Sequence, residues 1–305
     1  MTDTTLVFDR ELPTVGLDEV ALAVEDLRTS FKRSGAVAEI VRGVSFRIQQ
    51  GRTLAILGES GSGKSVTARS VLGLYGKRAT ITGSVRVAGQ ELIGESESRL
   101  AALRGSTISF VPQDPNGSLD PLRRVRSQLK EMIKRGSPGS GRAFVSSRVI
   151  ELLNLVGIRD PERVAHSYPH ELSGGMRQRI AIALAVSLDP KVLIADEPTT
   201  ALDPTVQKQI LALFNDLQSR MGTAMIFVTH DVDVARTIAD DVAVMFAGKF
   251  VEFGEAESVL TTPSHPYTRA LLAAVPTPNS VRGKLPTVEQ SLKQSGLDPT
   301  DWIIK

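Results

Sequence analysis

The chain has no cysteine among its 305 residues. That excludes disulfides, thiolate zinc centres and cysteine-ligated iron–sulfur clusters. It also has little net charge, with 36 Lys and Arg against 34 Asp and Glu. A near balance of this kind leaves no electrostatic footprint for nucleic acid, so no nucleic-acid partner is expected. No apolar run approaches the ~20 residues needed to span a bilayer. The N-terminal Met1–Arg10 stretch carries acids early and no apolar core, unlike a secretory signal. A cytoplasmic protein is expected, and any membrane span must come from other chains.

What is present centres on Gly58-Glu59-Ser60-Gly61-Ser62-Gly63-Lys64-Ser65. An apolar run, Thr53–Leu57, precedes it. Ala68, Val71, Leu72 and Tyr75 follow at helical spacing. A strand, a glycine-rich turn and a helix form the setting of a phosphate-binding loop of the G-x-x-x-x-G-K-[ST] type. Glycines let consecutive N–H groups converge on one anion, and the new helix points its positive end the same way. Lys64 is expected to reach the β- and γ-phosphates, and Ser65 to ligate Mg²⁺.

Residues 1–19 carry no clear period and read as an extension. Val20–Phe31 and Val41–Ile48 alternate and read as antiparallel strands joined by a turn at Lys32–Ala36. Thr80–Ala88 and Thr107–Val111 read as further strands. From Asp114 to about residue 170 the pattern turns helical, over Val125–Ile133 and Phe144–Val156, with a Gly/Ser/Pro-rich break at Gly136–Gly141. This reads as an inserted helical subdomain. A helix follows over Leu172–Leu188 and stops at Asp189-Pro190. Lys191–Ala195 and Ala224–Val228 read as buried strands, with an amphipathic helix over Thr205–Leu217 between them. Val242–Phe246 and Lys249–Glu252 read as a hairpin across Ala247-Gly248. Apolar content falls beyond Pro276, predicting a poorly packed tail. Alternating strands and helices imply an α/β fold with a mainly parallel sheet, and ligands at the carboxyl ends of its strands.

The chemistry-bearing residues fall at those ends. Asp196 and Glu197 follow the apolar Val192–Ala195 run, so Asp196 suits the metal shell and Glu197 suits polarising a water for attack on the γ-phosphate. Gln113 ends another strand, and its amide can bind Mg²⁺ or water. His230 ends a third, placed for a γ-phosphate contact. Leu172-Ser173-Gly174-Gly175 opens a second helix. It reads equally as an ordinary serine cap and as a second anion site that would face the phosphate loop of another subunit.

In that order these motifs resemble the nucleotide-binding subunits of ATP-binding-cassette (ABC) transporters, over about Val20–Pro276. Gly58–Ser65 resembles Walker A, Gln113 the Q-loop, Leu172–Arg179 the signature motif and Val192–Glu197 Walker B with its catalytic glutamate. Ala201–Asp203 resembles the D-loop, and His230 the switch histidine. The resemblance implies a P-loop cassette with a RecA-like core, an antiparallel β subdomain and an α-helical subdomain at about 114–175, all within residues 20–258. It implies ATP and Mg²⁺ as ligands. Nucleotide contacts would come from Gly58–Ser65, Val66, Ser173, Gly174, Gly175 and Asp203, metal contacts from Ser65, Gln113 and Asp196, and catalysis from Glu197, His230 and Gln113. Phe31 is a candidate for adenine stacking, with a core role equally open.

Within the family, Val66-Thr67-Ala68 after the loop, Tyr168-Pro-His, Thr200–Gln207 and His265–Leu272 resemble the oligopeptide, dipeptide and nickel importer branch. Residues 259–305 are then a C-terminal extension of that type. Many relatives carry a cysteine cluster there, which this chain lacks. His265, before Pro266, is expected to be structural. The resemblance implies two membrane permease subunits, a second ATP-binding subunit, an extracytoplasmic solute-binding protein acting indirectly, and a peripheral position on the cytoplasmic face of the membrane. The alternative is a non-transport ABC ATPase in DNA repair or translation.

Overall fold

The computed structural model describes residues 20–33 and 36–275, with Thr287, Val288 and Gln290. Strands β1 (Val20–Arg33) and β2 (Ala36–Gln49) pair antiparallel, Val24 facing Phe46 and Thr29 facing Val41. Their pairing continues through Lys32 and Val37 to Arg33 and Ala36, so the strands run on into the expected Lys32–Ala36 turn. Strand β3 (Thr53–Leu57) is buried throughout and leads through the glycine loop into α1 (Lys64–Val71). Strands β4 (Ala79–Val87) and β5 (Gln90–Glu91) extend the first sheet; α2 (Glu97–Leu103) and β6 (Ile108–Val111) follow.

The helical stretch contains α3 (Val125–Gly136), α4 (Arg142–Leu155) and α5 (Pro161–His166). Then come α6 (Gly174–Val186), β7 (Val192–Asp196), α7 (Pro204–Met221), β8 (Ala224–Thr229), α8 (Val232–Ile238), β9 (Asp241–Phe246) and β10 (Lys249–Glu255). The described chain continues through α9 (Ala256–Thr261) and α10 (Pro266–Ala273). Helices α2, α5, α8 and α9 have six or seven residues each. Under two turns, a 3.6-residue period does not repeat, so periodicity does not reveal them.

Among the described residues the strands form a four-stranded sheet, ordered β2-β1-β4-β5, and a six-stranded sheet, ordered β10-β9-β3-β8-β7-β6. The larger sheet is parallel except for β10. Alternate β3 residues face opposite layers. Leu54 and Ile56 pack with Val71 of α1 and with Val24 and Phe46 of the antiparallel sheet. Ala55 and Leu57 pack with Val242, Val259 and Tyr267 beneath α8–α10. Leu193 and Phe227 turn toward Leu129, Val149 and Val164 of the inserted helices, and toward Ile180 and Ile210 of α6 and α7. The inserted helices therefore share one apolar core with the sheet.

The expected extension at 1–19 lies outside the described residues, as does most of the tail. Of the three tail residues described, Thr287 and Gln290 are exposed and Val288 is buried, 7% exposed against the α10 layer. Among the described residues no helix is long and apolar enough to cross a membrane.

Candidate active site

Parallel register brings the strand ends to one edge. Leu57 pairs with Thr229, Asp196 with Val228, and Val111 with Ala195. The residues just beyond them are the phosphate loop, His230, Glu197 and the Pro112-Gln113 turn.

The loop closes on its own lysine. Lys64 Nζ donates to the carbonyls of Gly58 at 2.7 Å and Glu59 at 2.8 Å. Lys64 is 4% exposed, and burial holds its ammonium below the usual lysine range although Glu197, Asp196 and Glu59 pull it back up. Gly63 takes φ 108°, and a Cβ there would lie 3.0 Å from Met245 Cε and 3.1 Å from the Ile40 carbonyl. Only glycine fits comfortably at that φ and that spacing. Among the described residues, Ser62 Oγ is buried with no hydrogen-bond partner. A buried hydroxyl without a partner is costly unless something polar meets it, and a phosphate oxygen would.

Beside the loop, Ser65 Oγ donates to Asp196 Oδ1 at 2.7 Å, and Arg69 holds Oδ2 of the same carboxylate at 3.0 Å. Asp196 is fully buried. Hydroxyl, carboxylate and the nearby Gln113 amide supply the hard oxygen donors that Mg²⁺ takes, with phosphate and water completing the shell. The chain thus fits the metal that the motifs imply.

Glu197 is the hub. Its Oε2 accepts from Gln113 Nε2 at 3.1 Å and Thr200 Oγ1 at 3.0 Å, and lies 3.2 Å from His230 Nδ1. Its backbone sits at φ 48°, an uncommon conformation for a glutamate, held by its N–H donating to the Val228 carbonyl at 3.0 Å. The structure thus brings Lys64, Ser65, Gln113, Asp196, Glu197 and His230 together.

The second helix end is held by its own local contacts. Ser173 caps α6, its Oγ accepting from Met176 N–H at 3.3 Å. A Cβ on Gly175 would meet Val206 Cγ1 at 2.8 Å, so α6 and α7 start side by side. Asp203 spends its carboxylate on the N–H groups of Thr205 and Val206 as the α7 cap. Phe31 packs edge-on against Tyr75, centroids 5.0 Å apart. Tyr75 lies beyond the C-terminal end of α1, about 12 Å along the helix from the phosphate loop. The packing role of Phe31 is the one the structure displays.

Sequence reasoning missed four contributors: Arg69, Thr200, Gly248 and Tyr267. Arg69 had a signal, since it sits one turn after Ser65 on the same helix face. Thr200 lies three residues beyond Glu197. Gly248 joins three segments, its N–H donating to the Ser62 carbonyl at 2.9 Å and its carbonyl accepting from Arg42 N–H at 2.8 Å. Nothing local marks Tyr267, whose contact spans 208 residues.

A glycine cradle, a buried lysine, a serine–aspartate pair and a braced glutamate at one sheet edge define a P-loop nucleotide-binding cassette. Residues 41–200 match the family model described as ABC transporter, and residues 251–297 match the oligopeptide/dipeptide transporter C-terminal region. The oligopeptide transport ATP-binding protein OppD of Bacillus subtilis (strain 168) is 47% identical over 262 residues, covering 84% of this chain and 72% of that protein. The dipeptide transport ATP-binding protein DppD of Lactococcus lactis subsp. cremoris (strain MG1363) is 43% identical over 272 residues, covering 89% and 78%. The dimeric post-hydrolysis state of the ATP-binding cassette MJ0796, bound to ADP and Pi, matches with a TM-score of 0.69 at 27% identity. That match covers 77% of this chain and 98% of the other. The chain belongs to the ABC transporter family and carries the C-terminal region of its oligopeptide/dipeptide branch. The DNA-repair or translation alternative is set aside accordingly.

Proposed function

We propose that this chain binds MgATP at Gly58–Val66 and hydrolyses it to energise import of peptides or related solutes. One observation carries the catalytic part: Gln113, Thr200 and His230 all converge on Oε2 of Glu197 beside the Ser65–Asp196 pair. Lys64 would exchange its loop carbonyls for β- and γ-phosphate oxygens, and Ser62 Oγ would gain its missing partner. Ser65, Asp196 and Gln113 would hold Mg²⁺, which when bound neutralises charge on those phosphates. Glu197 accepts the proton of a water whose oxygen adds to the γ-phosphorus. The bond to the bridging oxygen breaks, and that oxygen leaves with ADP. Gln113 and Thr200 fix the carboxylate for this task, and His230 donates a ring N–H to the γ-phosphate.

Ser173, Gly174 and Gly175, with Asp203, serve the nucleotide of a facing ATP-binding subunit. The dimeric state of the MJ0796 cassette supports this. Such a dimer closes on ATP and opens after hydrolysis, because the γ-phosphate contacts exist only in the closed state. Gln113, at the root of the inserted helices, carries that change toward two membrane permease subunits. A solute-binding protein delivers cargo outside, and this chain sits on the cytoplasmic face. The names of the relatives favour peptides over nickel, metal chelates or opines.

The test is Glu197→Gln. Turnover should fall at least about 100-fold while an ATP-bound dimer accumulates on size exclusion. Unchanged hydrolysis refutes the role of Glu197. For the transport half, the chain should co-purify from detergent with integral membrane subunits; recovery only with nucleic acid or ribosomes would sink it.

A further inference from the structure

Tyr267 joins the C-terminal region to the phosphate loop. Tyr267, on α10, is fully buried. Its ring packs on Phe246 at the end of β9, centroids 4.5 Å apart. Its hydroxyl lies 3.3 Å from Glu59 Oε2, to which it donates, and accepts from the Glu59 N–H at 3.4 Å. The Glu59 carbonyl in turn accepts from Lys64 Nζ. Burial and the Glu59 carboxylate push the Tyr267 hydroxyl above the usual phenol range, so it remains a donor.

Helix α10 is itself anchored away from the loop. Glu252 on β10 is 6% exposed and accepts from Ser264 N–H at 2.6 Å, Ser264 Oγ at 2.8 Å and His265 N–H at 3.3 Å. His265 Nδ1 then caps α10, accepting from Tyr267 N–H at 3.1 Å. A buried carboxylate fixes where α10 begins, and α10 fixes Tyr267.

We propose that Tyr267 is a positioning residue for ATP binding, a strut by which the C-terminal region holds Glu59 and so presets the phosphate loop. A tyrosine that merely filled this core would need only its ring. Here the hydroxyl is spent on both the N–H and the carboxylate of a loop residue. A preset loop gives up less freedom when ATP binds, and it helps ground state and transition state alike. The signature is therefore a changed KM with an unchanged kcat.

The proposal rests on Gly58–Ser65 being the ATP site, which Lys64→Ala checks separately in the full chain by abolishing ATP binding. Tyr267→Phe keeps the ring on Phe246 and removes only the hydroxyl. It should raise the Kd and KM for ATP about three- to tenfold, the worth of one such hydrogen bond. The kcat should stay within about twofold and the melting temperature should barely move. Glu59→Ala should weaken binding too, and the double variant should be no worse than the poorer single one. Glu252→Ala should raise KM in the native background but not on top of Tyr267→Phe. If Tyr267→Phe binds ATP like the native chain, or the Tyr267 and Glu59 losses multiply, the strut is refuted. If Lys64→Ala retains binding, the site assignment fails instead.

Discussion

Ser65 and Asp196 stand 131 residues apart in sequence and share a hydrogen bond of 2.7 Å from Oγ to Oδ1. One lies in the first turn of α1, the other closes β7, and β8 lies between β7 and β3, the strand that leads into α1. The bond shows that the two metal-shell candidates are already within one ion's reach. Arg69 occupies the other carboxylate oxygen and compensates the buried charge.

Asp196→Asn should therefore cut turnover at least about 100-fold, the scale of several kcal/mol of metal-assisted charge stabilisation. Excess Mg²⁺ should not restore it, and a chelator should silence the native chain. A Mg²⁺ titration of ATPase activity checks both, and full rescue at high Mg²⁺ would contradict the assignment.

His230→Ala should lower kcat by about 100- to 1,000-fold, the usual cost of losing one donor aimed at developing charge. ATP affinity should change little, because Lys64 and the loop N–H groups remain. Equal losses in Kd and kcat/KM, read from binding and steady-state assays side by side, would instead make His230 a ground-state contact.

The α6 terminus gives an intersubunit test. In the Glu197→Gln background, Ser173→Glu should prevent the ATP-bound dimer of this chain while monomer affinity for ATP stays within about twofold, as for a residue that serves the partner's nucleotide. Light scattering with and without ATP distinguishes this from a serine that only caps its helix. A cap-only serine would leave the dimer in place.

Gly248, which braces the phosphate loop through Ser62, offers a stability test. It sits at φ 84°, and an added Cβ would lie 2.3 Å from the Ile40 carbonyl. Gly248→Ala should cost at least about 2 kcal/mol, combining left-handed strain with a backbone clash. Urea denaturation of the two chains measures it, and equal midpoints would exclude the clash.

How far the sequence was legible follows from what each element owes to its neighbours in the chain. Thr53–Leu57, Val192–Asp196 and Ala224–Thr229 are covered on both faces, so they read as unbroken apolar runs. Because ligands gather at the ends of such strands, Lys64, Gln113, Asp196, Glu197 and His230 could be named from position. Helices α3 and α7 are long enough to show their period, whereas α6 is buried on most sides and reads as an apolar run. What stayed hidden depends on tertiary pairing. The contact of Tyr267 with Glu59, the grip of Arg69 on Asp196 and the edge of Phe31 on Tyr75 are set by packing between distant segments. The left-handed backbone of Glu197 is imposed by Val228 and has no cue in its own side chain.

Helix α7 carries a consequence for how a subunit contact would be felt. Its 18 residues make a rod about 27 Å long. Near one end Gln207 Nε2 donates to Asp231 Oδ2, the α8 cap, at 3.4 Å. Near the other, Gln218 Nε2 donates to the Gly51 carbonyl at 2.7 Å and Thr53 Oγ1 at 3.2 Å, where β3 begins. A rod fastened at both ends does not absorb a push by bending in its middle. Pressure applied at Ala201–Asp203 would arrive at the root of the strand that delivers the phosphate loop, and the two faces of the sheet edge would answer to a single mechanical load.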